Sequence, residues 1–146
     1  MKVKDILAEK GSRVITVEKS TPVLDAMRIF PANRVGSLLV VDKFDEILGI
    51  IAARDLLMAV INHLDRIKTM TVEEIMTTNL IVGTEDDTIE YLQAIMTENR
   101  IRHVPIVEGR QLKGIVSIGD VVKALMTEKD VENRYLKDYI ADRYPR

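Results

Sequence analysis

The sequence predicts a mixed α/β fold: two tandem β-α-β-β-α repeats packed sheet to sheet about a pseudo-two-fold axis, followed by a C-terminal helix. Three observations predict it. Blocks recur in the same order. Asn33-Arg34-Val35-Gly36-Ser37-Leu38-Leu39-Val40-Val41-Asp42 lies over Asn99-Arg100-Ile101-Arg102-His103-Val104-Pro105-Ile106-Val107-Glu108 at an offset of 66, and residues 48–55 lie over 113–120 at 65. Upstream, Val3-Lys4-Asp5-Ile6-Leu7 matches Val72-Glu73-Glu74-Ile75-Met76 at 69, so the drift is confined to turns, as in a tandem duplication. Within each copy the apolar spacing alternates between that of a helix and that of a strand. A single three-stranded unit cannot bury both of its sheet faces, and a second copy can cover what the first leaves open.

Each element follows from its residues. Residues 14–17 and 80–82 read as the opening strands. A helix follows in each copy, with Val23, Ala26, Met27 and Phe30 on one stripe in the first and Ile89, Leu92, Ile95 and Met96 in the second. Ser20 or Thr21 is expected to cap the first of these helices, with Pro22 suited to its first turn; Asp86 or Asp87 is expected to cap the second. Pro31 is expected to kink or end the first helix near Phe30. Residues 37–41 and 48–51 form a hairpin across Lys43-Phe44-Asp45-Glu46, and the second copy turns at Glu108-Gly109-Arg110. Closing helices are expected from about 54 to 64 and from about 119 to 127, and a terminal amphipathic helix over 131–140, with Tyr135, Leu136, Tyr139 and Ile140 along one stripe. The expected division is 1–68, 69–128 and a tail over 129–146.

Composition narrows the function. Of 146 residues, 21 are Lys or Arg and 23 Asp or Glu; the net charge of −2 does not suit a nucleic-acid or polybasic membrane binder. With no cysteine, disulfides, thiolate nucleophiles and cysteine metal sites are excluded. His63 and His103 are the only histidines, too few for a multi-histidine metal site. The longest apolar run, 47–53, falls far short of a membrane span, and the first residues lack the apolar stretch of a signal peptide. A cytoplasmic protein is expected. Gly114 stands three residues before Ser117 where a nucleophile elbow needs two, and neither a Gly-rich phosphate loop nor His-Glu-x-x-His occurs. Met27, Met58 and Met96 suit an adaptable core, and Asp86-Asp87 a solvated cap.

Both copies end Gly-hydrophobic-hydrophobic-x-x-x-Asp before a helix, at Gly49-Ile50-Ile51-Ala52-Ala53-Arg54-Asp55 and at Gly114-Ile115-Val116-Ser117-Ile118-Gly119-Asp120. Together with the tandem order, these blocks resemble the cystathionine-β-synthase (CBS) domain family, whose paired repeats form a Bateman module. The resemblance covers residues 1 to about 128. It implies a regulatory module without catalysis or a required cofactor. Its clefts would take an adenosyl compound (AMP, ADP or ATP, or else NAD or S-adenosylmethionine), its modules would pair as a homodimer, and an unidentified protein would respond.

The resemblance also singles out residues. Asp120 offers two carboxylate oxygens to the two ribose hydroxyls; its bland role is to complete a helix cap with Ser117, and the two roles are compatible. Ser117 can donate to an α-phosphate. Arg102 and His103 open a strand where the family places phosphate-contacting basic residues, although alternation can turn one of them to solvent and His103 can equally be a half-buried strand histidine. Arg54, beside Asp55, either reaches a phosphate or stays in solvent. Ala52 replaces Ser or Thr in the first copy and Ser37 stands where the second has His103, so the first cleft is expected to bind more weakly or stay empty. By analogy with the family, backbone groups of Thr78-Asn79-Leu80 would read the adenine. The competing functions are a ligand-free dimerisation scaffold that uses the Tyr135 stripe and a small hydrolase or transferase, for which no nucleophile, base or metal set is present.

Overall fold

The computed structural model describes residues 1–126 and 133–137. In chain order it runs α1 (Val3–Lys10), β1 (Thr16–Glu18), α2 (Val23–Asn33), β2 (Ser37–Val41), β3 (Ile47–Ala52), α3 (Ala53–Asn62), a 3₁₀ turn (Val72–Glu74), α4 (Ile89–Asn99), β4 (His103–Glu108), β5 (Gln111–Ser117) and α5 (Ile118–Leu125). In the first sheet β1 runs parallel to β2, with Val17 opposite Val40, and β2 pairs antiparallel with β3, with Leu38 opposite Ile51. The second sheet is the antiparallel pair β4–β5, with Val104 opposite Val116.

The expected strand at 80–82 is reduced to one bridge a residue later. Gly83 donates to the Pro105 carbonyl and accepts from Val107, both at 2.9 Å, while the Leu80 amide is spent locally on the Thr78 carbonyl. Pro31 does not end α2, which continues to Asn33. In the last turn a missing proline N–H costs a single bond. The turn is closed from beyond it by Val35, which donates to Phe30, and by the Asn33 side chain, which donates to Ile29. α4 ends in the same way: Asn99 donates to Ile95, and Arg34 and Arg100 share the left-handed conformation at φ 54°. The recurring Asn-Arg is thus a helix stop.

The expected caps shift too. α2 starts at Pro22 with no side-chain cap from Ser20 or Thr21, because the Val23 amide donates to the Met70 carbonyl at 2.9 Å. α4 is capped by Thr88, which accepts from the Tyr91 amide at 3.1 Å; Asp87 instead accepts from Thr84, and Asp86 lies near Lys2 and Lys4. Behind both shifts stands one feature. The segment around residues 70–72 straps the start of α2, and residues 1–3 strap the start of α4, with Pro22 bridging Thr71 and Lys2 bridging Thr88.

These straps cross between the repeats. The first core holds Val23, Ala26, Leu38, Val40, Ile51 and Ala59 together with Met70 and Val72; the second holds Ile89, Leu92, Val104, Ile106, Val116 and Val121 together with Val3, Ile6 and Leu7. Each core is completed by the segment that precedes the other repeat. β2 is buried on both faces: Leu38 and Val40 point into the first core, and Leu39 points the other way. Across from it, Ile50 of β3 and Pro105 of β4 line one small cavity, so the two sheets meet face to face. Residues 133–137 are helical and exposed; Tyr139 and Ile140 of the expected stripe lie outside the described residues. No helix among the described residues is long and apolar enough to cross a membrane.

Candidate functional site

The two closing helices start with the same acid in two settings. At α5 the Ser117 Oγ accepts from the Asp120 amide at 3.1 Å and the Asp120 carboxylate accepts from the Ser117 amide at 2.8 Å, a reciprocal capping box. The Ser117 hydroxyl keeps its own hydrogen for another acceptor. At α3 the Asp55 carboxylate accepts from the Ala52 amide at 2.8 Å, and the return bond is missing because alanine has no oxygen to offer.

Each acid also holds a partner that sequence reasoning missed. Lys10, the last residue of α1, donates from Nζ to Asp120 Oδ2 at 2.7 Å and to the Ile115 carbonyl at 2.8 Å. Thr77 donates from Oγ1 to Asp55 Oδ1 at 3.3 Å, and its backbone pairs with Ile50. The places correspond, since Ile50 and Ile115 are equivalent in the repeat. A signal existed: α1 ends where the matched segment in the second copy reaches its own loop. It was not usable without knowing that each segment crosses to the opposite half.

Asp120 is neither in bulk water nor sealed. Its side chain is 23% exposed and that of Lys10 32%. Partial burial by itself would raise the Asp120 pKa, but the Lys10 hydrogen bond and charge and the Ser117 amide and hydroxyl hold it below its ordinary value. His103 is held below its ordinary value, first by burial; the Asp120 charge opposes this, and those of Lys10 and Arg102 add to it. The imidazole lies across the seam between the halves, against Gly36, where an added Cβ would fall 2.7 Å from Nε2. Arg102 faces solvent, as strand alternation allows, and so does Arg54.

Around His103 the halves leave a cavity of about 50 Å³ lined by Ile50, Thr77, Asn79, Leu80, Ile81, Ile101 and Pro105. It joins His103 to the Thr78-Asn79-Leu80 loop; that loop follows Thr77 and so sits on the Asp55 side, while α1's end flanks Asp120. A larger hollow of about 390 Å³ between β1 and the β2–β3 turn, lined by Lys19, Ser20, Asp42 and Phe44 among others, contains none of the candidate residues. The arrangement presents a carboxylate to hydroxyl or amide donors and offers donors at Lys10, Ser117 and His103.

With this geometry in view, the family can be stated. The CBS domain model matches residues 3–62 and again 72–127, and the chain belongs to that family. It is similar to a mitochondrial CBS domain-containing protein of Arabidopsis thaliana, CBSX3, at 33% identity over 97% of this chain and 73% of that one. Among solved structures it resembles a CBS-domain containing protein from Agrobacterium tumefaciens, at 38% identity and a TM-score of 0.83, covering 86% of this chain and 93% of that one. It also resembles the CBS domain pair of protein MJ0100, solved in complex with 5′-methylthioadenosine and S-adenosyl-L-methionine, at 29% identity and a TM-score of 0.76, covering 86% and 95%.

Proposed function

We propose that the chain is a non-catalytic regulatory module that binds an adenosyl ligand in the crevice between its repeats and reports occupancy to a partner protein. The candidates are AMP, ADP, ATP, NAD and S-adenosylmethionine, each as a regulatory ligand rather than a required cofactor. One observation carries the reading: the partly exposed Ser117–Asp120 box, with Ser117 paired to His103 across β4 and β5, in a member of a family whose MJ0100 pair holds adenosyl compounds. Asp120 takes the ribose hydroxyls and Ser117 a phosphate, with His103 and Arg102 nearby, while the Thr78-Asn79-Leu80 backbone, which follows Thr77 on the Asp55 side, reads a base held there. Asp55 and Arg54 serve the equivalent, weaker crevice.

A seam cavity of about 50 Å³ is well below the roughly 300 Å³ that small-molecule sites occupy. A ligand that reached from Asp120 into this seam would part the halves, which gives occupancy a mechanical consequence. The halves carry exposed apolar helix faces, Leu57 and Ile61 of α3 at 60–64% exposure and Val122 and Leu125 of α5 at 44–49%, continued by Leu64 and Met126 just past each helix. Pairing of two modules through these faces gives the parting an outlet, and a homodimer in the cytoplasm is the form we propose. The test is thermal denaturation with each adenosyl ligand, alongside light scattering. A ligand-dependent rise in melting temperature is expected; no rise with any of them at millimolar concentration overturns the reading.

A ligand-free scaffold is favoured by a different observation, that Asp120 is already occupied by Lys10. Asp120→Ala separates the two: a sensor loses its ligand response, and a scaffold keeps its oligomeric state and loses nothing.

A further inference from the structure

We propose that Lys10 is the specificity residue of the Asp120 crevice, selecting phosphorylated adenosyl ligands over neutral or cationic ones. The proposal rests on the ligand-binding reading above and names the ligand class within it.

The Lys10 ammonium is pinned by two acceptors, Asp120 Oδ2 at 2.7 Å and the Ile115 carbonyl at 2.8 Å. An ammonium has three N–H donors, so one is left. Two bonds fix the position of this charge, and a side chain 32% exposed is only partly screened by water. Lys10 and the Ser117 amide both donate to Asp120 Oδ2, which leaves Oδ1 to take vicinal ribose hydroxyls beside the ammonium. The third N–H of the ammonium then faces the bound sugar and calls for an acceptor there.

The 5′ substituent of the same ribose is the group best placed to supply it. A phosphate oxygen gives the remaining N–H of Lys10 a charge-assisted bond. A thioether offers almost no acceptor, and a sulfonium sets a second positive charge beside the first. The surroundings act in the same direction, since Lys10 and Arg102 both bear on His103 as positive charges and Asp120 alone opposes them. At Asp55 the corresponding contact comes from the neutral Thr77 hydroxyl at 3.3 Å, which imposes no such demand. The charge filter is a property of one crevice.

Titration calorimetry of the full chain with ADP, 5′-methylthioadenosine and S-adenosylmethionine tests this, in the natural sequence and in Lys10→Met, Lys10→Gln and Lys10→Arg. One charged hydrogen bond predicts that the natural chain binds ADP about ten- to a hundredfold more tightly than methylthioadenosine. Lys10→Met and Lys10→Gln should bring the two ligands to within about threefold of each other, and Lys10→Arg should keep most of the preference. Lys10→Gln retains a neutral donor to Asp120, so it answers the question even if Lys10→Met fails to melt cooperatively. An ADP preference that survives both neutral variants overturns the role of Lys10 and leaves the sensor intact, as does a natural chain that favours the sulfonium. Binding of none of the three overturns both proposals.

Discussion

The surroundings of Asp55 and Asp120 share one repeated backbone pattern and differ most directly in the groups behind and in front of the acid. Asp120 has a hydroxyl behind it, Ser117, and an ammonium in front, Lys10; Asp55 has a methyl group behind it, Ala52, and a hydroxyl in front, Thr77. In both, the acid accepts from the amide three residues before it, so the helix start is preserved. What has diverged is the set of donors and charges available to a ligand. Duplication can hold a backbone constant while its two copies take up different chemistry, because the cap needs only the acid and the amide.

The largest effects expected are in the cores. Leu38→Ala in the first and Leu92→Ala in the second should each cost about 2–5 kcal/mol, since both side chains are fully buried. Because Met70 and Val72 belong to the first core and Val3 and Leu7 to the second, either change should lower a single shared urea transition. Two transitions, one per repeat, would break the picture of crossed straps. Next comes ligand response. Asp120→Ala should abolish the melting-temperature rise with ADP, whereas Asp55→Ala should leave most of it; equal losses would mean that the crevices are equivalent after all.

Capping effects are smaller. Ser117→Ala should cost about 1 kcal/mol, and Ala52→Ser, which restores the missing hydroxyl, should gain about 0.5–1 kcal/mol by chemical denaturation. Acid sensitivity gives the finest contrast. His103 and Asp120 both have folded-state pKa values below their ordinary ones, so the unfolded chain binds more protons and stability falls as pH falls. The His103 share is complete above about 6.5 and is lost as pH drops through its lower folded value. The Asp120 share is complete above about 4 and is lost on further acidification. Ser37 stands at the first-repeat place of His103, so His103→Asn should flatten the upper limb and leave the lower one. Urea titrations between pH 8 and pH 3 check this, and an unchanged upper limb would assign it elsewhere.

Much of this was legible in the chain. The helical stripe through Val23, Ala26 and Phe30 and the hairpin from Ser37 to Ile51 are local patterns, and both are present where periodicity put them. The Ser117-x-x-Asp120 box could be read from spacing alone. The local cap expected at Ser20 or Thr21 gives way because the Val23 amide finds the distant Met70 carbonyl, and the one expected at Asp86 or Asp87 moves to Thr88, next along the chain. Pro31 was overridden because closure came from Asn33 and Val35, beyond the proline. Lys10 was invisible: 110 residues separate it from Asp120, and nothing in either neighbourhood names the other.

Sequence alone settled the duplication, the α/β class, the acid at the head of each closing helix and the loss of a hydroxyl at Ala52, because all of these depend on spacing within a repeat or on the match of one repeat to the other. Only the tertiary structure decided which strap completes which core, that His103 lies against Gly36, and that an ammonium rather than a hydroxyl faces the second acid. Contacts of that kind depend on how two repeats exchange their leading segments, and the burial that drives the exchange has no local period to read.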